Sequence, residues 1–298
     1  MVSTTGESPS SLPVQALGKI GLWSMALRGG AAGPKVEAAA ELDELGYGAL
    51  WIPGATDHGV LEDASLLLGA TRSAAVATGI LNIWMHEPQA VGEWWHQLTG
   101  DHKARMLLGL GVSHGVVIGE AYRKPLSAMR DYLDGLSAAG IPPTSLCLAA
   151  LGPKMLELAR DRTAGAHPYL VTPEHTAAAR EALGPGPLLA PEQFVVLDSD
   201  PVRARAIARP YLHGYGQLAN YANSWRRLGF SEDDITHVSD RLVDALFACG
   251  SAEVIAERVS AHFAAGADHV CLQVVVGGAE QTVGTLMPVW RELAAALL

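Results

Sequence analysis

The sequence is poor in the features that mark several large classes of protein. It has three cysteines in 298 residues, and no two of them form a C-x-x-C pair. Cys147, Cys249 and Cys271 each lie among apolar residues, which predicts small core residues rather than a redox centre or a metal site. No apolar run reaches the roughly 18 residues that a membrane-spanning helix needs. We therefore expect a soluble chain without a membrane partner.

Positive charge is also scarce. The chain has 21 lysine and arginine residues against 31 aspartate and glutamate residues, a formal net charge of −10. This balance disfavours a nucleic-acid-binding surface, so we expect no nucleic-acid partner. The N-terminal stretch MVSTTGESPSSLPVQ lacks the basic and apolar regions of a secretion signal, which predicts a cytoplasmic protein. Its Ser/Thr/Pro-rich composition predicts a flexible arm over residues 1–16.

Familiar catalytic motifs are missing as well. The 11 histidines are scattered and none has a metal-binding spacing such as H-E-x-x-H, so we expect no metal site. There is no G-x-S-x-G nucleophile elbow and no P-loop. No G-x-G-x-x-G opens a helix after the first apolar segment, which disfavours a dinucleotide-binding Rossmann domain.

The chain does contain eight short apolar segments that alternate with amphipathic helices. Most of these segments are continuous apolar runs, which is typical of parallel strands buried on both faces. Helix signals fall between them, such as Thr172 and Pro173 at the start of one helix and Gly184 at its end. Eight repeats over residues 17–298 predict one α/β domain, a (β/α)8 TIM barrel, with a doubly wound open sheet as the alternative. The segments are GKIGLWSM, YGALWIPG, AVATGILNIW, RMLLGLGVS, SLCLAAL, GAHPYLVT, EQFVVLD and HVCLQVVV.

One segment does not fit the repeat. Residues 214–249 form a long polar-aromatic and helical stretch, which predicts a helical insertion between the seventh and eighth strands. Its aromatic and amide side chains, Tyr215, Tyr221, Asn223 and Trp225, could form a lid over the barrel mouth. The alternative is that the aromatic residues only pack the insertion onto the barrel.

The carboxyl ends of the strands are where a barrel carries its function. The fourth strand ends in GLGVSHG, where glycines let a ligand approach the backbone and Ser113 and His114 add polar groups. The fifth strand runs into the Gly-Pro pair 152–153 at the start of a helix. The free N–H groups of that helix could bind a phosphate with Lys154 alongside, or the pair could be only a tight turn.

The third strand raises a separate question. It reads ATGILNIWMHEP, with Gly79 and Asn82 in an otherwise apolar run, and both residue types are poor in strands. Either the strand is a poorly made core element, or a ligand lies against it. His86 and His114 follow adjacent strands, so they are the histidines that we most expect to face the mouth.

Taken together, these motifs resemble the luciferase-like monooxygenase superfamily, in particular its actinobacterial branch of deazaflavin (coenzyme F420)-dependent oxidoreductases. The resemblance implies a bacterial-luciferase-like barrel that transfers hydride between the deazaflavin and a small organic substrate, and it implies a homodimer. It runs from about Leu17 to Val276, and its carriers are ELGYGALWIP, TGILNIWMHEP, ARMLLGLGVSH, YRKPLSAMRDYLDGL, LAALGPKMLELARDRTAGAHPYLVTPEHTAAAREALG and AAGADHVCLQVV.

The resemblance also implies roles for individual residues. A non-proline cis peptide at Gly79–Ile80 would support the coenzyme ring, with an ordinary bulge as the alternative, and Asn82 would face the polar ring edge. Trp23 and Trp84 would bound the substrate. The positions that would contact the coenzyme are Gly54, Gly79, Ile80, Asn82, Gly111, Ser113, His114, Gly152, Pro153, Lys154, Met155 and Thr172.

The sequence departs from the family pattern at the end of the second strand. Many relatives have an acidic residue or a histidine there, whereas this chain has Gly54, with Asp57 and His58 a few residues later. His114, His86 and His58 are therefore the candidate proton donors. The alternatives are an FMN-dependent monooxygenase that uses reduced flavin and O₂, a non-catalytic coenzyme-binding protein, and a barrel for another phosphate-bearing ligand.

Two adjacent tryptophans bear on the implied dimer. Trp94 and Trp95 lie in VGEWWHQL on the third helix, and the relatives commonly dimerise through the helices next to strands 2 and 3. Adjacent helical positions cannot both face the core. One of the two is a candidate interface contact, and a simply exposed side chain is the alternative.

Overall fold

Strands and helices alternate along most of the chain. The computed structural model describes residues 17–54, 57–278 and 280–298, so the arm predicted for residues 1–16 lies outside the described residues. The strands are β1 (Ile20–Trp23), β2 (Ala49–Ile52), β3 (Ala75–Thr78), β4 (Leu81–Asn82), β5 (Met106–Gly111), β6 (Leu146–Leu148), β7 (Gly165–Ala166), β8 (Leu188–Leu189), β9 (Glu192–Leu197), β10 (Phe247–Gly250) and β11 (Val270–Val274).

The helices lie between these strands and cover the outside of the sheet. Short 3₁₀ turns also occur at Met25–Leu27, Gly119–Ala121 and Pro143–Ser145. The helices are α1 (Ala32–Glu44), α2 (Val60–Ala70), α3 (Pro88–Gln97), α4 (Gly100–Arg105), α5 (Gly115–Ile118), α6 (Pro125–Ala138), α7 (Pro153–Arg162), α8 (Pro173–Leu183), α9 (Pro201–Gly216), α10 (Ala219–Arg227), α11 (Glu232–His237), α12 (Asp240–Leu246), α13 (Ala252–Ala264) and α14 (Val283–Leu297).

The strands pair in parallel and close into a ring. Pairing runs from β11 through β1, β2, β3, β5, β6 and β7 to β8. β8 and β9 are successive pieces of one extended stretch, residues 188–197. β8 pairs with β7, where Leu188 lies opposite Gly165, and β9 pairs with β11, where Glu192 lies opposite Cys271. This stretch closes the sheet, so the predicted (β/α)8 barrel is confirmed and the doubly wound open sheet is excluded.

The third barrel strand is broken in two. β3 ends at Thr78, and the Gly79–Ile80 peptide bond is cis, as the resemblance implied. β4 then resumes pairing with β5, where Leu81 lies opposite Leu110. The N–H of Gly79 donates to the Ile52 carbonyl at 2.8 Å, which keeps β2 attached across the break. The glycine therefore marks a cis bond rather than an ordinary bulge.

The barrel interior is filled by two indoles among small residues. Trp23 and Trp51 are both buried there, together with Leu107, Cys147 and Cys271. β2 and β3 contribute alanines to this layer, which leaves room for the large rings. The two interior cysteines are therefore core residues, as predicted, while Cys249 at the end of β10 is only half-buried.

The helical insertion lies between β9 and β11, as predicted, and contains a strand that the sequence pattern did not reveal. Helices α9 to α12 run into β10, which pairs with β9 on the edge opposite to β11. The helix-like pattern LVDALFAC continues through Phe247, so pairing with β9 overrides the local pattern at that point. The insertion has an apolar cluster of its own, in which Trp225 is fully buried.

Two surface predictions can be placed in this fold. Trp95 is buried, and the Trp94 indole donates to the Ser65 hydroxyl at 2.9 Å, so neither is a freely exposed contact. The homodimer stays a prediction. No helix within the described ranges combines the length and the apolar character that crossing a bilayer requires.

Candidate functional site

A cavity of about 440 Å³ opens at the carboxyl ends of the barrel strands. Residues that follow β1, β2, β3, β5, β6 and β7 line it, and so do residues of the insertion. Ten of the residues predicted from the sequence are brought together here, namely Trp23, Gly54, Gly79, Ile80, Asn82, Gly111, Ser113, His114, Gly152 and Met155. The cavity therefore occupies the position at which barrels carry their function.

One side of the cavity is made of backbone, and glycines make this possible. The Gly54 N–H donates to the Ile80 carbonyl at 2.8 Å, and a Cβ on Gly54 would lie 2.5 Å from that oxygen. A Cβ on Gly111 would lie 2.5 Å from Ile80 Cγ1, and one on Gly79 would overlap the Trp23 indole. We call Gly54, Gly79, Ile80 and Gly111 the glycine wall. It explains why no acidic side chain stands at Gly54, since the approach of the two strands leaves no space for one.

Asn82 follows the glycine wall along the chain, lines the cavity, and has a side-chain N–H donor that is not used within the described ranges. Its side-chain oxygen accepts a hydrogen bond from the Trp84 N–H at 3.1 Å, which fixes the amide orientation. Its Nδ2 is buried and has no partner among the described residues. Because an unpaired buried donor is unfavourable, this amide suits a ligand that presents an acceptor.

His167 supplies the complementary group, and the sequence reasoning missed it. Its Nδ1 donates to the Ala190 carbonyl at 2.7 Å, and its ring stacks on Trp51 at 4.2 Å. Burial lowers the pKa of His167 to about 4, so the ring is neutral and Nε2 is an acceptor. Nε2 is buried without a partner among the described residues, and the side chain lines the cavity.

The reason for missing His167 lies in the length assigned to its strand. The apolar pattern GAHPYLVT predicts a strand that runs to Thr172, whereas β7 ends at Ala166. Pro168 has no N–H to donate to a ladder, so it was the available signal for an earlier end. The residues that follow the true end, His167 and Tyr169, are the ones that enter the cavity.

His114 lies at the opposite side, after β5. It precedes the short helix α5, lines the cavity, and is half-buried. Burial lowers the pKa of His114 below its ordinary value, and a hydrogen bond with Asn220 of the insertion partly offsets this. His114 is therefore neutral near pH 7 and able to accept a proton.

The insertion covers the cavity with aromatic side chains. Tyr215 and Tyr221 line it beside Tyr169, and the Tyr215 hydroxyl donates to that of Tyr169 at 3.1 Å. The Tyr169 hydroxyl donates in turn to Gln273 Oε1 at 2.8 Å. The two readings of the insertion thus apply to different residues, since Trp225 packs inside it while Tyr215 and Tyr221 reach the cavity.

Several predicted site residues lie outside the cavity lining. The Trp84 indole donates to the Val112 carbonyl at 2.6 Å and so supports the loop after β5. Thr172 caps α8, as predicted, by accepting from the His175 N–H at 3.4 Å. Pro153 is the first residue of α7, and Lys154 points into a separate surface groove between α6 and α7. At the start of α7, the cavity is bordered by Gly152 and Met155 instead.

The loop after β2 does not bring its ionisable groups into the cavity. Asp57 pairs with Arg28, and the His58 ring lies 5.6 Å from that of His86. Burial, and next the neighbouring His58, lower the pKa of His86. Neither histidine is among the residues that line the cavity, so of the three predicted catalytic histidines only His114 borders it. Within the described ranges no cluster of three or more His, Cys, Asp or Glu could hold a metal.

Similarity to known proteins is found in the three-dimensional structure and not in the sequence. No protein-family model matches the sequence, and no curated protein matches it either. The chain is similar to an F420-dependent secondary alcohol dehydrogenase in complex with an F420–acetone adduct, with a TM-score of 0.70 and 14% identity, over 94% of this chain and 99% of that one.

Two further solved structures represent the two cofactor classes. The coenzyme F420-dependent tetrahydromethanopterin reductase from Methanopyrus kandleri matches with a TM-score of 0.65 and 14% identity, over 95% of this chain and all of that one (100%). The oxygenating constituent of 3,6-diketocamphane monooxygenase from the CAM plasmid of Pseudomonas putida, in complex with FMN, matches with a TM-score of 0.63 and 13% identity, over 93% and 96%. The chain therefore has the luciferase-like barrel fold.

Proposed function

We propose that the protein is a coenzyme F420-dependent oxidoreductase that transfers hydride between the deazaflavin and a small organic substrate. The observation that carries the proposal is the unused hydrogen-bonding pair beside the glycine wall. Asn82 Nδ2 offers a donor and His167 Nε2 offers an acceptor, and neither has a partner among the described residues. The polar edge of a deazaflavin or flavin ring presents both carbonyl acceptors and an N–H donor, so these residues fit such a ring.

The remaining lining residues fit the rest of the coenzyme. The glycine wall would lie against the ring face, since three of its four residues are glycines and Ile80 is its one side chain. Gly152 and the first turn of α7 would meet the phosphate-bearing tail, because a helix N-terminus offers free N–H groups to an anion. Arg227 of the insertion donates to the Leu151 carbonyl at 2.9 Å and places a positive charge beside this end.

The chemistry divides between the coenzyme and this chain. When bound, the deazaflavin would accept a hydride at C5 from an alcohol carbon or return one to a carbonyl carbon. The alcohol loses its hydroxyl proton in the same conversion and leaves a ketone or aldehyde. His114 would take that proton on its neutral imidazole and release it to solvent, and would return it in the reverse direction. The aromatic residues of the insertion would exclude water from the cavity.

An FMN-dependent monooxygenase is the second candidate. The same unused donor and acceptor suit the flavin ring, whose polar edge is shared with the deazaflavin, and one similar structure holds FMN. A binding protein without turnover is the third candidate, because Gly54 stands where an acid was expected.

A titration of the purified protein with F420, followed by coenzyme fluorescence with FMN in parallel, separates these candidates. We expect micromolar or tighter F420 binding and weaker FMN binding. Asn82→Leu should weaken F420 binding, while His114→Gln should retain binding and lose alcohol-dependent F420 reduction. Preferential FMN binding would favour the monooxygenase. F420 binding without turnover over a broad alcohol screen would favour the binding protein, and binding of neither would refute the proposal.

A further inference from the structure

The described part of the cavity lining carries no charged side chain, and this restricts the kind of substrate that it can bind. Among the described residues that line it there is no Asp, Glu, Lys or Arg. The two histidines that line it, His114 and His167, both have pKa values lowered by burial and are neutral near pH 7. Glu192 is fully buried near the tyrosines, and burial raises its pKa well above the usual range, so it adds no charge.

Aromatic rings form a second side of the cavity, which meets the glycine wall where the Trp23 indole donates to the Gly79 carbonyl at 2.7 Å. The Trp23 and Tyr169 ring centroids are 5.6 Å apart, those of Tyr169 and Tyr215 are 5.5 Å apart, and those of Tyr215 and Tyr221 are 4.9 Å apart. We call these four residues the aromatic wall. Their tilted and edge-on contacts are the arrangements that aromatic side chains prefer, so the rings hold one another in place.

The entrance continues this apolar character. Met25 lines the cavity while 49% of its surface remains exposed. Val116 and Val117 lie two and three residues after His114, on α5, and they are 84% and 50% exposed. Exposed apolar side chains at a cavity mouth favour the entry of an apolar ligand over that of an ionic one.

Besides Asn82 and His167, which we assign to the coenzyme, the polar side chains that line the cavity are those of Ser113, His114, Tyr122, Tyr169, Tyr215, Asn220 and Tyr221. The hydroxyl protons of Tyr169 and Tyr215 are used in the chain that ends on Gln273. No described residue forms a hydrogen bond with the Tyr221 hydroxyl, which belongs to a ring 5.8 Å from the His114 ring. His114 and Tyr221 therefore offer one acceptor and one donor on the same side of the cavity.

From these observations we infer that the substrate is an uncharged aromatic or alicyclic alcohol or the corresponding carbonyl compound, held against the aromatic wall with its single oxygen between His114 and Tyr221. The inference rests on the proposed function for the reaction, and on the cavity alone for the class of ligand. A carboxylate, phosphate or ammonium group held against the aromatic wall would lose its hydration without an opposite charge among the described lining residues, which is strongly unfavourable. The positive charge of Arg227 lies at the Leu151 edge, which we assign to the coenzyme tail.

The test uses one ring system in neutral and charged forms. Apo protein is titrated at pH 7.5 with 1-(2-naphthyl)ethanol, 2-acetonaphthone, 2-naphthoate and 2-naphthylmethylammonium, and binding is measured by calorimetry. We expect the two neutral ligands to bind at least about tenfold more tightly than either ion, a factor worth about 1.4 kcal/mol. Equal or tighter binding of an ion, or no binding of any of the four, would overturn the inference.

Three variants separate the oxygen contact from the ring contact. Tyr221→Phe should weaken binding of 1-(2-naphthyl)ethanol severalfold and leave binding of naphthalene, which has no oxygen, unchanged. Tyr221→Ala should weaken both. Tyr211→Phe is the matched control, because Tyr211 contacts Phe194 and Phe247 and does not line the cavity. An unchanged affinity of Tyr221→Phe for the alcohol would refute the oxygen contact.

The result does not depend on the coenzyme. If the neutral ligands bind apo protein selectively but F420 does not bind, the substrate class stands and the proposed cofactor fails. If F420 binds and ions bind as well as neutral ligands, the reverse holds. Repeating the titrations with F420 present should tighten binding of the neutral pair, because both molecules would then occupy one cavity.

Discussion

The glycine wall and the aromatic wall enclose the same cavity by opposite means. The glycine wall is mostly backbone held by strand pairing: an added Cβ at Gly54 would lie 2.5 Å from the Ile80 carbonyl oxygen, and one at Gly111 would lie 2.5 Å from Ile80 Cγ1. The aromatic wall consists of side chains, two of which, Tyr215 and Tyr221, come from helices outside the barrel. A wall of backbone fixes one shape and tolerates no substitution, whereas a wall of side chains changes with each substitution.

This difference matches the two tasks that we propose for the cavity. A coenzyme ring has one shape, so a rigid surface with one donor and one acceptor suits it. A substrate differs from enzyme to enzyme on the same fold, so the adjustable wall is the place for specificity.

The largest effect is expected at the glycine wall. Gly54→Ala places a Cβ 2.5 Å from the Ile80 carbonyl oxygen, and neither backbone can move without breaking the hydrogen bond between them. We expect it to lower the free energy of unfolding by about 3 kcal/mol, the upper end of the usual range for overpacking. Chemical denaturation measures this. Gly69→Ala, at an exposed position of α2 with open space, is the control and should be neutral or stabilising.

The second prediction concerns the histidine beside the glycine wall. The pKa of His167 falls from 6.5 to about 4 on burial, so the unfolded chain binds a proton there that the folded chain does not bind between these values. Stability is therefore complete above pH 6.5 and falls as the pH drops toward 4. We expect wild type to lose about 2 kcal/mol more than His167→Gln between pH 7 and pH 5. Equal pH slopes for the two proteins would show that His167 is not held neutral.

The aromatic wall should give a smaller change. Tyr215→Phe removes the hydroxyl that donates to Tyr169, which should lower the free energy of unfolding by about 1 kcal/mol. Tyr221→Phe, whose hydroxyl has no partner among the described residues, should change stability by less than about 0.5 kcal/mol. Thermal and urea unfolding of the pair checks this. A larger loss for Tyr221→Phe would mean that its hydroxyl is structural.

The smallest effect is expected at Lys154. Its side chain lies in the groove between α6 and α7, away from the cavity lining, so Lys154→Ala should change F420 affinity by less than about twofold. Arg227→Ala, at the cavity edge, should weaken F420 binding several times more than that. Fluorescence titration of the two variants decides which positive charge serves the coenzyme tail. A larger loss for Lys154→Ala would restore the sequence-based assignment.

The sequence predicted the barrel well because continuous apolar runs and helix signals are local. The two strands that the sequence did not reveal are β8 and β10, and both are defined by pairing with a strand distant in sequence. β8 has only two residues, and β10 follows a helix without a turn signal, so neither has a local pattern of its own. The glycine wall was predictable because Gly79 and Gly111 are anomalies within strands. His167 was not, since its strand was extended past Pro168. The tyrosines of the insertion were recognised as a group, but which of them reach the cavity depends on how the helices pack.

The anchoring of the insertion has a practical consequence. Its four helices leave the barrel after β9 and return through β10, which pairs with β9, so entry and exit lie side by side on one strand. Its apolar cluster rests on the same two strands. Helices α9 to α12 therefore form a segment with fixed end points that can be exchanged between barrels of this fold. Such an exchange would replace Tyr215, Asn220, Tyr221 and Arg227 together and leave the glycine wall unchanged.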